Sequence, residues 1–335
     1  MTRQSVLRSL CALALGLSLS AAANAQLFRT YIAPDGVDSN PCTLAAPCRL
    51  LPAALATVID GGEIWMLGSA NYNTSPVNIA KSVTILAVPG ALGSVVAIGG
   101  NAINIATAGV KVSLRNLVIV PFVGGGGTNG INMTAGTSLT VENCLIANLP
   151  QSGIVANGIM NVLVTDSTVR GNGEYGLFIQ NGPRATVTRT TLSRNTLRGI
   201  YVRGDIASIT TTADIADSTM SNNFHGVYAQ SAIAGAVVKV SVRDSRVVGH
   251  GGYGIAADAP PASVSVSASN NVISNNNAGI YATGPGARIW ASGNTVSDNT
   301  FGLFNNGALF ESAGDNAVRN NSSGNTGTIS TVAKM

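Results

Sequence analysis

Apolar and polar residues alternate along this chain in short bursts, and each burst breaks at a polar corner. Leu139, Val141 and Leu145 are interrupted by Asn143; Val162, Val164 and Val169 by Asp166; Val238, Val240, Val242 and Val247 by Asp244; Val264, Val266 and Ile273 by Asn270. Period-two alternation over so few residues predicts short strands rather than helices. A glycine followed by an apolar residue then reopens each pattern, at Gly130-Ile131, Gly153-Ile154, Gly176-Leu177, Gly199-Ile200, Gly226-Val227, Gly254-Ile255, Gly279-Ile280 and Gly302-Leu303. Successive glycines are 23, 23, 23, 27, 28, 25 and 23 residues apart. A period of this size marks a solenoid, in which each repeat buries its apolar face only against its neighbours.

Short strands at this period cannot close hairpins. They fit a coil that returns to stack on itself in parallel, and parallel crossovers favour a right-handed winding. The predicted fold is therefore all-β, a single-stranded right-handed parallel β-helix. With coils about 4.8 Å apart, some ten of them make a rod on the order of 50 Å long. The corner residues Asn116, Asn143, Asp166, Asp217, Asp244, Asn270 and Asn294 should line up from coil to coil, their amides hydrogen-bonding along the axis. An open rod end exposes unpaired strand edges and needs a cover. Leu50, Leu51, Ala54, Leu55 and Val58 lie at helical spacing and predict an amphipathic capping helix within Cys48 to Ile59. The expected organisation is a cap over 26–61, repeats over 62–310, and a last irregular coil with a loose tail over 311–335.

The first 25 residues add an address. Arg3 and Arg8 precede an apolar run from Leu10 to Leu19, and small residues end at Ala23-Asn24-Ala25, the pattern of a secretory signal peptide cut between Ala25 and Gln26. That run is too short to span a bilayer. Cys11 lies at its start, away from the cleavage point, so no lipid-anchored cysteine is expected. We expect a secreted or periplasmic monomer without a membrane span. In that compartment Cys42 and Cys48, six residues apart, are expected to form a disulfide. Cys144, inside a strand pattern, reads as a small buried side chain. The whole chain has 19 basic and 15 acidic residues. Without Arg3 and Arg8 the excess falls to two, which argues against nucleic acid as a partner.

These residues resemble a known family. The mature chain is similar to the right-handed parallel β-helix proteins of the pectin lyase-like superfamily, and more narrowly to uncharacterised exported β-helix repeat proteins of proteobacteria. The narrower likeness rests on Asp38-Ser39-Asn40-Pro41-Cys42-Thr43, Pro47-Cys48-Arg49 and the Gly-Gly-Glu-Ile of residues 61–64. It implies fold and export. It implies no single activity, because that superfamily mixes lyases, hydrolases, epimerases and adhesins.

Val164-Thr165-Asp166-Ser167 and Gly249-His250-Gly251 are superficially similar to polygalacturonase-like motifs. The paired aspartates a hydrolase needs are missing between them, Asp166 shares its register with the corner residues, and His250 takes the place of Asn172 and Asn195. Asp214, Asp217 and Asp244 are the densest acidic group, short of what a lyase calcium site demands. No catalytic residue, metal or cofactor is assigned.

The candidate site is instead an outward stripe. If the residue after each repeat glycine points in, the next points out. That column contains Phe178, Tyr201, Tyr228, Tyr281 and Phe304, and the next outward column contains Arg203 and Gln230. Aromatics beside amides, one coil apart, can stack on successive sugar rings while the amides take hydroxyls. They can equally stack on one another and stabilise the sheet. Arg170, Arg184, Arg189, Arg194, Arg198 and Arg203 add a basic region over two coils. The expected role is non-catalytic: binding an extended polysaccharide, or serving as a surface or interaction rod. The alternative is a polysaccharide lyase or glycoside hydrolase with an unrecognised site.

Overall fold

The computed structural model describes residues 26–333; the expected leader, cut after Ala25, lies outside the described residues. The chain winds into three parallel sheets of 13, 10 and 11 strands. One coil runs through Ser138–Glu142, Leu145–Ala147 and Ile154–Asn157, and the next through Asn161–Thr165, Thr168–Arg170 and Tyr175–Gln180. Each strand pairs in parallel with its counterpart one coil on, Leu139 against Val162, Ile146 against Val169 and Ile154 against Leu177. We call these the first, second and third sheets in that chain order. The alternating pattern fills the interior as expected: Val162, Val164, Val238, Val240, Val242, Val264 and Val266 are all buried. This is the parallel β-helix the repeats predict.

Two corners per coil explain why the polar residues sit where they do. Between the first and second sheets the backbone turns through a left-handed residue in each coil, at Asn116, Asn143, Asp166, Arg189, Asp217, Asp244, Asn270 and Gly293. Asn and Asp tolerate that conformation better than other side-chain-bearing residues. At the corner itself Asn143 Nδ2 donates to Asn116 Oδ1 at 3.3 Å, as expected, but the longer axial ladder belongs to the residue after it. The backbone N–H groups of Ser218, Ser245, Asn271 and Asn294 donate to side-chain oxygens of Ser245, Asn271, Asn294 and Asn316 at 3.0–3.1 Å. Asn294 therefore lies one place beyond the expected corner column, inside the ladder, and Gly293 makes the turn.

A second buried ladder follows the second sheet. Asn172, Asn195 and Asn223 donate their backbone N–H groups to Asn195, Asn223 and His250, and His250 donates to Asn276 at 3.0 Å. This ladder explains the repeat glycines. None of them has a left-handed φ. A Cβ on Gly199 would sit 2.8 Å from the carbonyl oxygen of Gly226 and 2.9 Å from Nδ2 of Asn223. The glycine is needed for space, not for an unusual backbone angle.

The capping helix is shorter than the sequence pattern suggests, Leu51–Thr57. The chain passes from it into the strand Val58–Met66, which pairs with Leu27–Ile32 ahead of the helix. Val58-Ile59 and the Gly61-Gly62 pair favour that exit. Cys42 and Cys48 form the expected disulfide, Cα atoms 4.6 Å apart. Cys144 is buried, and burial raises its thiol to about 11. Beyond residue 311 the chain adds Ala317–Arg319 to the second sheet and Ser330–Thr331 to the first. Among the described residues no helix is long and apolar enough to cross a membrane.

Candidate functional site

The outward stripe lies on the third sheet. Phe178, Tyr201, Tyr228, Ala256, Tyr281 and Phe304 are in register across consecutive coils, and Gln180, Arg203, Gln230 and Asp258 form the parallel column two residues on. A third outward column precedes each repeat glycine: Tyr175, Arg198, His225, Tyr253, Ala278 and Phe301. Sequence reading missed this column because it began each strand at the glycine. Strict alternation would place it on the inward face with Leu177 and Ile200, so period two alone does not find it.

The columns interlock. Phe178 stacks on Tyr201 with centroids 5.0 Å apart, and Tyr253 stacks on Tyr281 at 3.9 Å. Phe304 meets Tyr281 edge-on at 5.3 Å and Phe301 at 4.9 Å. In the middle the surface is closed. Tyr201 and Tyr228 face outward yet are only 2% and 8% exposed, because the Arg198 guanidinium lies 4.0 Å and 4.4 Å from their ring centroids and neighbouring rings flank them. Tyr201 donates to Gln230 Oε1 at 2.5 Å, while Tyr228 and Gln230 donate to Asp258 Oδ2 at 2.9 and 2.8 Å. Arg203 pairs with Asp205 at 2.7 Å. The rings left partly open are Tyr175, Phe178, Tyr253, Tyr281, Phe301 and Phe304.

Electrostatics follow from this packing. Burial and then the nearby Asp258 hold the Tyr228 phenol protonated well above its ordinary range, and burial raises Tyr201 likewise. Burial, followed by the Arg198 charge, lowers His225 to about 4 and keeps it neutral. His225 Nδ1 accepts the backbone N–H of Tyr253 at 2.9 Å. Arg198 makes no ion pair among the described residues, and its buried Nε has no hydrogen-bond partner there. Such a surface offers aromatic faces, engaged amides and one unpaired cation, which suits binding.

Other sequence candidates are dispersed. Asp166 is a corner residue held by Arg189 at 2.7 Å, a hydrogen-bonded pairing that lowers its carboxyl to about 2. The six arginines do not form one patch: Arg184 and Arg189 bound the first sheet, Arg170 and Arg194 the second, and Arg198 and Arg203 the third. Around Asp214 and Asp244 stands Arg243, 3.7 Å and 3.5 Å away. Among the described residues no three His, Cys, Asp or Glu side chains converge as a metal site.

A second surface was not anticipated. The outer face of the first sheet carries an open groove of about 510 Å³, crossing the coils from Arg184 to Glu311.

Comparison with known proteins agrees with the architecture. A family model described as "Right handed beta helix region" matches residues 101–261. The fold is similar to XylC solved with xylose, at a TM-score of 0.57 and 8% identity over 85% of this chain and 68% of that one. It is similar to the Dettilon tailspike protein gp208, at 0.54 and 13% over 90% and 68%. It is also similar to the enzymatically active domain of bacteriophage CBA120 tailspike protein 2, at 0.51 and 14% over 79% and 42%. No curated protein sequence matches the chain. The fold is a right-handed parallel β-helix, and residues 101–261 carry its family pattern.

Proposed function

We propose that this protein is an exported, non-catalytic rod that binds an extended carbohydrate along its third sheet. The observation that carries the reading is the run of partly open rings Tyr253, Tyr281, Phe301 and Phe304 across three consecutive coils, with Tyr175 and Phe178 open on a coil beyond the closed middle. Coils advance by about 4.8 Å, so successive rings can meet successive sugars of one chain. Tyr201, Tyr228, Arg203 and Gln230 act beneath and beside them as a rigid support. The likeness to XylC solved with xylose and to tailspike proteins is compatible with a glycan ligand.

The protonated Tyr228 and Tyr201, and a His225 whose Nδ1 is already engaged, favour binding over proton transfer. The competing reading is a polysaccharide lyase or hydrolase. Size-exclusion chromatography of neutral and acidic polysaccharides after incubation with the protein separates the two. Polymer that co-elutes intact, and ceases to co-elute with a folded Tyr281→Ala/Phe304→Ala variant, is the expected result. Shortened polymer would replace binding with catalysis, and no interaction with any polymer would remove the carbohydrate reading.

A further inference from the structure

We infer that Asn306-Gly307 is a self-modification site, at which the folded protein converts Asn306 to aspartate and isoaspartate while its four other Asn-Gly pairs stay protected. The inference stands apart from the carbohydrate reading and rests on backbone hydrogen bonds.

Asparagine is a thermolabile residue, and a following glycine favours its cyclisation because no Cβ hinders the approach of the glycine nitrogen to the side-chain amide. The chain holds five such pairs, Asn129-Gly130, Asn157-Gly158, Asn172-Gly173, Asn181-Gly182 and Asn306-Gly307. The attacking nitrogen must be free, and in four pairs it is bonded across coils. Gly130 donates to the Ser152 carbonyl at 3.0 Å, Gly158 to that of Gln180 at 3.0 Å and Gly173 to that of Leu149 at 2.8 Å. Gly182 donates to Thr211 Oγ1 at 3.0 Å. The asparagine amides of these pairs are engaged as well. Oδ1 of Asn129, Asn172 and Asn181 accepts the backbone N–H of Ser152, Leu149 and Asp205, and Oδ1 of Asn157 accepts Nδ2 of Asn181.

Asn306-Gly307 differs at both groups. Asn306 ends the outermost strand of the third sheet, Phe301–Asn306, and both residues of the pair are exposed. In earlier coils the residue at this corner, Gly204, Ser231, Ala259 or Gly284, donates its N–H to a carbonyl of the next coil. Past Phe301–Asn306 the chain returns to that sheet only through an isolated bridge from Thr326 to Phe304. The Gly307 N–H has no hydrogen-bond partner among the described residues. The turn is closed instead by Asn305, whose side chain bonds the N–H and the carbonyl of Ala308 at 2.9 and 3.0 Å. Gly307 has a φ of +75° and open space where a Cβ would stand. Asn306 makes one side-chain hydrogen bond, from Nδ2 to Thr283 Oγ1 at 3.2 Å, and its Oδ1 accepts none among the described residues.

The chemistry needs only water. Solvent base takes the Gly307 amide proton, the nitrogen bonds to Cγ of Asn306, and the Cγ–Nδ2 bond breaks as ammonia leaves with a proton from water. Water then opens the five-membered imide at either carbonyl, giving aspartate or isoaspartate, and nothing is oxidised or reduced. Either product adds a carboxylate to the outward column of Asp258 and Thr283.

The test is peptide mapping by mass spectrometry of the purified protein, held folded at neutral and mildly alkaline pH and, in parallel, unfolded in urea. In the folded protein Asn306 should deamidate at least roughly tenfold faster than any of the other four, each of which must first open locally. Its rate should rise with pH, since the attacking nitrogen is deprotonated. In urea, where all five glycine N–H groups are free, the gap should close. Asn306→Gln, a change on an exposed side chain, should remove the acidic species that folded protein accumulates on ion exchange. Asn306 left intact in folded protein while it reacts in urea would overturn the inference, as would equal rates at all five pairs in the folded state. So would an undiminished acidic species in Asn306→Gln. A gap of the same size in urea would place the selectivity in local sequence and reject protection by the cross-coil hydrogen bonds.

Discussion

His250 occupies a position that neighbouring coils give to asparagine, and His250→Asn should make the rod more stable and less sensitive to acid. The ring is 2% exposed. Its Nδ1 lies 3.2 Å from the backbone N–H of Asn223, which donates to it in the ladder, and its Nε2 is buried without a hydrogen-bond partner among the described residues. Asparagines in the same column do better: Asn276 and Asn299 each donate to a backbone carbonyl of the preceding coil at 3.3 and 3.2 Å. Restoring the amide should recover about 1–3 kcal/mol that an unsatisfied buried group costs. The acid effect is separate. Burial lowers His250 from 6.5 to about 4, so between those values the unfolded chain binds a proton that the folded one refuses. Stability conferred by the neutral ring is then present above pH 6.5 and lost as pH falls towards 4. At 1.36 kcal/mol per unit, the loss between pH 7 and pH 4.5 is roughly 2 kcal/mol. His225, also lowered to about 4 by burial, Arg198 and, least, His250, titrates in the same window in both proteins and cancels apart from that small His250 contribution. Asp166, held near 2, stays ionised throughout it. Urea unfolding of wild type and His250→Asn at pH 7 and pH 4.5 measures both effects. A variant that loses as much stability on acidification as the wild type would show that the ring is not held neutral by the ladder.

Two further predictions concern the frame, beside those made for the stripe and for Asn306. Gly199→Ala should cost about 1–3 kcal/mol, as other over-packed interiors do, because its Cβ would press on the Gly226 carbonyl and the Asn223 amide; a urea midpoint equal to wild type would contradict that close approach. Cys42→Ser/Cys48→Ser should lower stability by about 2 kcal/mol through the short closed loop, read as earlier proteolysis at the N-terminal end; unchanged protease resistance would mean that the buried packing of the cap holds it alone.

Much of the frame was legible because the solenoid imposes one rule many times. Inward positions such as Ile200, Val227 and Ile255 follow the repeat glycine without exception, and period two then assigns the faces. The errors came where one residue of offset changes meaning. Asn294 and Asn270 look alike in sequence, yet one is in the buried ladder and the other makes the left-handed turn, since Gly293 takes over that turn in its own coil. In sequence the repeat glycines mark only the period. Their reason is the space left by the next coil's carbonyl, and that distance is not written in any single repeat.

The site was legible as a column and illegible as a surface. Alternation places Tyr201 and Tyr228 outward, and they are outward, but accessibility depends on what lies beside the column: Arg198, three residues before Tyr201 in the same strand, and the rings of Tyr175 and Tyr253. Two outward columns of large side chains close over each other in the middle of the third sheet, while small Ser265 and Ser267 beside Lys239, Arg288 and Trp290 leave the first sheet open. A stack of strands is a flat surface until its outward side chains differ in size. Binding grooves on such a rod are therefore shaped by where the small residues fall in register, and Ser-rich runs such as Ser263–Ser269, which read as featureless in one dimension, are the places to look for them.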